Sequence, residues 1–372
     1  MADPSSDVHL ILFFTRGISL QTWDEVGMFE REVALYRRLQ QRDIQVSFVT
    51  YGDSTDLQLA GRIPGIRILC NHWRLPARLY SRLLPFLHGA SLASASVYKS
   101  NQTSGAEMAL QAAHLWRKPL IVRSGYLHSE FVARERAARA AQAARRLERK
   151  VYTAAQAVVV TTPEMKRVVQ ERYGVKNSHV WVIPNFVLAD QFRPQSEPRR
   201  STTLCFVGRL HPQKNLPALL EAVAGLPLRV LLIGKGALRA DLETLAKSLG
   251  VNVQFLERVP HNELPALLNK TEIFVLPSHY EGHPKALIEA MSCGISVIGA
   301  NSPGIRELIR HGETGWLCGT DPASIRSAIQ ELLAQPRLRA QLGRNARQFI
   351  VDNFSLDQII KMELKLLHEV IK

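Results

Sequence analysis

The chain has 372 residues, 46% of them hydrophobic and 22% charged, an ordinary balance for a globular protein with room for about two domains. Its formal net charge of +14 and sequence pI of about 9.9 favour anionic partners. No run approaches the ~20 apolar residues of a membrane-spanning helix, and the polar, acidic start, residues 1–7, lacks the features of a secretory signal, so a cytoplasmic location is expected.

Apolar runs alternate with amphipathic stretches along the chain. Residues 8–14 read as a first strand, followed by a loop that holds Gly17. Gly27 precedes a predicted helix over 28–41. Strands are expected at 45–50 and 95–98, the second leading into the polar residues Lys99, Asn101 and Gln102. A helix over 104–116 precedes a strand at 120–122, after which come Arg123 and His128. Residues 134–150 are rich in alanine and arginine, a strongly helical mixture. Strands at 157–160 and 180–183 complete the first set. Residues 189–201 carry prolines and charges without periodicity and read as a linker. A second set of strands follows at 203–207, 229–233, 253–255, 273–276 and 296–299. The alternation predicts an α/β protein of two Rossmann-like, doubly wound domains, spanning 1–190 and 191–354, with a last helix over 355–372. In such sheets ligands bind beyond the carboxyl ends of the strands.

Three post-strand loops of the second half concentrate the chemistry. Phe206-Val207-Gly208-Arg209-Leu210-His211-Pro212-Gln213-Lys214-Asn215 places two cations after a strand. Gly208 allows close backbone approach. Arg209 can clamp phosphate oxygens in a bidentate way, and Lys214 adds a point charge. Next, Ile233-Gly234-Lys235-Gly236 lacks the third glycine of a dinucleotide fingerprint, because Arg239 stands in its place. Finally, Glu281-Gly282-His283-Pro284-Lys285-Ala286-Leu287-Ile288-Glu289 runs from a strand through a turn into a helix expected over 286–292. Pro284 suits the first turn and Gly294 the position past the end. Free backbone N–H groups and the helix dipole make that turn an anion site. The two carboxylates suit sugar and ribose hydroxyls, so the segment fits a nucleotide diphosphate sugar.

These motifs, in this order, resemble the Glu-x7-Glu and Gly-Arg-Leu-x3-Lys-Asn segments of retaining glycosyltransferases of the GT-B fold, family four. The resemblance covers nearly all of 201–350 and is looser before that. It implies two Rossmann-like domains facing a cleft, with the last helix returning to the first domain. It also implies transfer of a sugar from a nucleotide diphosphate sugar to an acceptor hydroxyl, with retention of configuration. Arg209 and Lys214 are then expected to hold the diphosphate, Glu289 the ribose, and Glu281 with the backbone of 282–286 the sugar. Gly208 and Gly234 would border the nucleotide, and Arg258 and Val259 would read its base. In the first domain the family carries a histidine near Arg123, so Arg123 or His128 is expected to face the sugar, with Gly17, Gly27 and Asn101 on the acceptor side. Residues 312–317 match the family's closing hairpin-like segment.

No Asp-x-Asp pair occurs, and the cations above supply positive charge, so neither a metal nor a cofactor is expected. The cysteines Cys70, Cys205, Cys293 and Cys318 form no close pair and read as buried free thiols. No motif for nucleic acid accompanies the basic charge. An anionic membrane surface or a lipid-phosphate acceptor remains, with a peripheral position on the inner face of the membrane. Alternatives are a nucleotide-sugar-binding pseudoenzyme, a basic membrane scaffold, or a GT-B sugar-nucleotide epimerase.

Overall fold

A computed structural model of the chain describes residues 8–135, 138–195 and 203–372. Residues 1–7, Arg136 of the basic stretch, and residues 196–201 of the expected linker lie outside this set. The described residues of Met1–Pro184 with Ile360–Lys372 form one compact unit, and those of Asn185–Ile359 form a second. Among the described residues no helix is long and apolar enough to cross a membrane.

The first unit holds β1 (His9–Phe13), β2 (Gln45–Val49), β3 (Ile66–Leu69), β4 (Val97–Ser100), β5 (Leu120–Ser124), β6 (Ala157–Val160) and β7 (Val180–Val182). They form one parallel sheet in the order β3-β2-β1-β4-β5-β6-β7. The second unit holds β8 (Thr203–Val207), β9 (Arg229–Ile233), β10 (Asn252–Leu256), β11 (Ile273–Leu276), β12 (Ser296–Ala300) and β13 (Trp316–Cys318). These also run parallel, in the order β10-β9-β8-β11-β12-β13. Both sheets are doubly wound, as the alternation predicts. Their central strands are buried throughout, β1, β6, β11 and β12 without an exposed residue. That is why they read as continuous apolar runs rather than alternating ones.

Two strands escape the sequence pattern, and both lie at sheet edges. β3 is four residues long and carries the exposed Arg67. β13 falls in the segment expected to be hairpin-like. It instead adds in parallel to β12, with Trp316 opposite Ile298, and only an isolated bridge joins His311 to Gly315. Edge strands are short and half wet, so their hydrophobic signal is weak.

Asn185–Phe192 already belong to the second unit. Val187 exchanges backbone hydrogen bonds with Phe354 and Leu356, and Phe192 is fully buried in the second core. The helix Leu356–Ile371 starts in that unit, and from Ile360 onward it belongs to the first. There Glu363 meets Lys99 of β4. The ammonium donates to both carboxylate oxygens at 2.6 Å, with both side chains essentially inaccessible to water. Burial is the main force lowering the Lys99 pKa, and the Glu363 carboxylate opposes it. Lys99 was expected among the polar residues that follow the strand at 95–98; it lies within β4 and is a buried structural residue.

In each sheet the strand order reverses once, between β1 and β4 and between β8 and β11. Such switch points open a crevice at the carboxyl ends of the strands, because successive connections leave on opposite sides.

Candidate functional site

The switch point of the second unit carries the charged residues. After β8 the chain passes Gly208 and the exposed Arg209, then turns through Pro212–Lys214. The His211 ring accepts the Gln213 N–H and caps that turn. Asn215 closes it in a left-handed conformation, φ 54°, and its amide donates to the carbonyls of Pro277 and Thr320. Asparagine suits the position because it tolerates this backbone and bridges two further loops.

After β11 come residues 277–284 and the helix Lys285–Ser292. Lys214 Nζ donates to Glu281 Oε1 at 2.6 Å, with the two side chains 12% and 8% exposed. The two motifs are 67 residues apart in the chain, and the adjacency of β8 and β11 brings them together. Gln213, which is buried, ties the same loops by donating to the Tyr280 carbonyl at 2.7 Å, and the Glu281 carboxylate lies 3.5 Å from the same amide. Asn185 donates to the His283 carbonyl at 2.7 Å. Gly304 supports the turn from the other side. Its φ is +82°, and an added Cβ would fall 2.5 Å from the Glu281 carbonyl oxygen and 2.6 Å from that of Gly282.

Pro284 sits at the N-cap position, one residue before the helix rather than within its first turn. The ring needs no acceptor for a missing N–H there. Gly294 takes the left-handed backbone just past the end, φ +67°. Glu289, just over one turn into the helix, is buried and accepts from His261 Nε2 at 2.9 Å. The carboxylate expected to receive a ribose is thus already partnered in the ligand-free chain. His261 itself packs against Phe192, ring centroids 4.9 Å apart.

Gly234 and Gly236 have a packing reason to be glycine. A Cβ on Gly234 would lie 1.9 Å from the Gly208 carbonyl oxygen, and one on Gly236 would lie 2.1 Å from that of Leu210. Leu210 N–H donates to the Lys235 carbonyl at 2.8 Å, locking the two post-strand loops together. Arg258 is exposed and Val259 half-buried after β10, next to this pair of loops through the Gly234-to-Leu256 hydrogen bond.

In the first unit the structure groups some candidates and separates others. Gly17 turns the chain after β1 with φ +77°. Asn101 follows β4, with its N–H on the Phe13 carbonyl and its side chain near Thr15. Arg123, the penultimate residue of β5, is half-buried, and its N–H donates to Ser100 Oγ. These three lie on the adjacent carboxyl ends of β1, β4 and β5. Gln102 is spent on the Gly125 N–H. His128 begins the helix His128–Glu135, its ring 6.2 Å from that of Tyr126. Gly27 lies farther along the chain, between the short helix Leu20–Glu25 and the helix Phe29–Gln40.

Sequence reasoning did not single out Gln213, His261 or Asn185 as supports. Gln213 stands inside the Arg209–Lys214 motif, and the other two carry no local signal. Cys70, Cys205 and Cys293 are buried and Cys318 is half-buried, all free. Burial pushes the Cys205 and Cys318 thiols up to about 12, away from reactivity.

Residues 189–349 match the family "Glycosyl transferases group 1", and residues 32–191 match "Glycosyltransferase Family 4". Among curated proteins the chain is similar to the D-inositol 3-phosphate glycosyltransferase of Rhodococcus erythropolis, 30% identical over 56% of this chain and 52% of the relative. It is also similar to the GDP-mannose-dependent alpha-(1-6)-phosphatidylinositol monomannoside mannosyltransferase of Mycolicibacterium smegmatis, 31% identical over 46% of this chain and 52% of the relative. The chain spans about half the length of these curated relatives. Among solved structures, the sucrose-phosphate synthase from Thermosynechococcus elongatus superposes with a TM-score of 0.80 at 21% identity, covering 97% of this chain and 98% of the other. HepE from Anabaena, in complex with UDP and glucose, superposes at 0.76 with 18% identity, over 97% and 99%.

Proposed function

We propose, from the premise that the chain belongs to the group 1 glycosyltransferases of family four and carries their GT-B fold, that it moves a sugar from a nucleotide diphosphate sugar to an acceptor hydroxyl with retention of configuration. The second unit takes the donor. Arg209 and Lys214 hold the diphosphate, assisted by the backbone N–H groups that open the helix at Lys285. Glu281 orients the sugar together with the backbone of 282–286. Glu289 receives the ribose by exchanging His261 for hydroxyl donors, and the backbone near Arg258 and Val259 meets the base. In the reaction the anomeric carbon–phosphate oxygen bond breaks and a bond to the acceptor oxygen forms on the same face. The departing phosphate accepts the acceptor proton, and the nucleoside diphosphate leaves. Arg209, Lys214 and the helix dipole stabilise the charge that grows on it, so no metal is required.

The observation that carries this reading is the Lys214–Glu281 pair at the β8/β11 switch point, at the entrance of a helix and beside the exposed Arg209. The first unit supplies the acceptor side through Gly17, Gly27, Asn101, Arg123 and His128. A lipid-linked or polysaccharide acceptor fits the basic charge, with the protein peripheral on the cytoplasmic face of a membrane.

Calorimetry against UDP, GDP, ADP and TDP without metal tests the donor site. Binding of one nucleotide by the wild type and its loss in Arg209→Ala/Lys214→Ala is expected. No binding by any of the four would overturn the assignment. Transfer that persists in Glu281→Ala would remove that residue from catalysis.

A further inference from the structure

We propose that the first unit docks on an anionic lipid bilayer through the segment from Trp73 to Phe86. This deepens the membrane part of the reading above and stands without the transfer reaction. The helix Ala77–Leu87 buries Tyr80 and Leu84 in the first core. Its opposite face presents Leu79, Leu83 and Phe86, which are 43%, 36% and 66% exposed. The spacing of four and three residues stacks them into one stripe along the helix. Trp73, 40% exposed, extends the apolar surface just before the helix. Four large apolar side chains gathered within one short segment of a water-facing surface mark an interaction face.

Charge selects the occupant. From Leu57 through Ala106 the sequence contains no aspartate or glutamate. Arg78 and Arg82 flank the stripe, both exposed. Neither has a carboxylate partner among the described residues, whereas Arg62 in the same region is neutralised by Asp24 and Glu30. An apolar stripe bordered by unpaired arginines is the pattern of a helix lying in a bilayer interface, with guanidinium groups at headgroup level and a tryptophan beside them. The more strongly basic helix Ala138–Ala154 does not have this pattern. Its outward face carries Arg139, Arg145, Arg146, Arg149 and Lys150, and none of its large apolar side chains is exposed. Charge alone holds a protein near an anionic surface only weakly and in a salt-sensitive way, whereas an inserted apolar stripe adds salt-resistant affinity.

The test is co-sedimentation of the full chain with phosphatidylcholine vesicles, with and without phosphatidylglycerol. Variants are Leu83→Ser/Phe86→Ser, Arg78→Glu/Arg82→Glu, and the control Arg145→Glu/Arg146→Glu. The substituted side chains are exposed, and circular dichroism melts confirm folding. The wild type is expected to bind phosphatidylglycerol vesicles at least tenfold more tightly than neutral ones. Both variants of the proposed face are expected to lose at least tenfold, and the control variant less than threefold. Overturning results are no vesicle binding, binding lost only in the control variant, or a dimer in light scattering that Leu83→Ser/Phe86→Ser dissolves, which would make this face a contact with a second copy. Nucleotide calorimetry on the same variants separates the two readings, because the donor residues are untouched: its failure would concern the donor site, and lost vesicle binding with intact nucleotide binding would concern this face.

Discussion

Glu281→Gln and Lys214→Ala should act in opposite directions on nucleotide binding, although they break the same ion pair. The pair is close, 2.6 Å, and largely shielded from solvent. An arriving diphosphate must therefore share Lys214 with Glu281. Removing Lys214 deletes a charge-assisted contact worth about 1.5–3 kcal/mol, or roughly 10–150-fold in Kd. It also leaves Glu281 as an uncompensated carboxylate facing the phosphates. Glu281→Gln keeps the shape of the side chain and releases the ammonium for the ligand. The affinity of a free nucleoside diphosphate should hold or rise, by up to about tenfold, while sugar transfer falls by about 100-fold or more, the scale of losing one oriented group at a developing charge. Titration calorimetry with the diphosphate and single-turnover transfer with the donor measure the two effects. Equal weakening of diphosphate binding in both variants would refute the argument, and so would a Lys214→Ala affinity within threefold of the wild type.

Three further outcomes follow from the geometry. Lys99→Met or Glu363→Leu alone should cost about 3–5 kcal/mol in urea unfolding, because each strands a buried charge, whereas the double replacement should come back to within about 1 kcal/mol of the wild type; simple addition of the two losses would contradict this. Burial, with a smaller contribution from His72, lowers the His88 pKa from 6.5 to about 4. Between these values the unfolded chain takes up a proton that the folded chain refuses, so stability should fall as pH drops from 6.5 to 4, by at most about 3 kcal/mol. His88→Gln should flatten that slope, and an unchanged slope would count against it. Gly304→Ala should weaken donor binding at least tenfold by pushing on the Glu281 and Gly282 carbonyls. Gly312→Ala, with φ +76° and nothing within 4 Å of the added Cβ, should leave binding intact and cost about 1 kcal/mol of stability; similar binding losses in both would show that crowding is not the cause.

Much of the fold was legible because it rests on local rules. Buried parallel strands are continuous apolar runs, so 157–160, 203–207, 229–233 and 273–276 read from the sequence as they stand in the sheets. The edge strands at Ile66–Leu69 and Trp316–Cys318 did not, since half their surface is wet and their length is three or four residues. The motif residues Arg209, Lys214, Glu281 and Glu289 announced themselves through charge placed after strands and at a helix start.

Their partners were a different matter. The sequence by itself determined the α/β class, the two sets of strands and the residue types gathered on the post-strand loops, because backbone geometry and hydrophobic periodicity act over neighbouring residues. Only the tertiary structure decided that Lys214 meets Glu281, that His261 holds Glu289, that Lys99 is buried against Glu363, and that Leu79, Leu83 and Phe86 face water. Each of these depends on which strands become neighbours, or on which face of a helix the core takes. A local pattern carries no information about pairings made across tens to hundreds of residues.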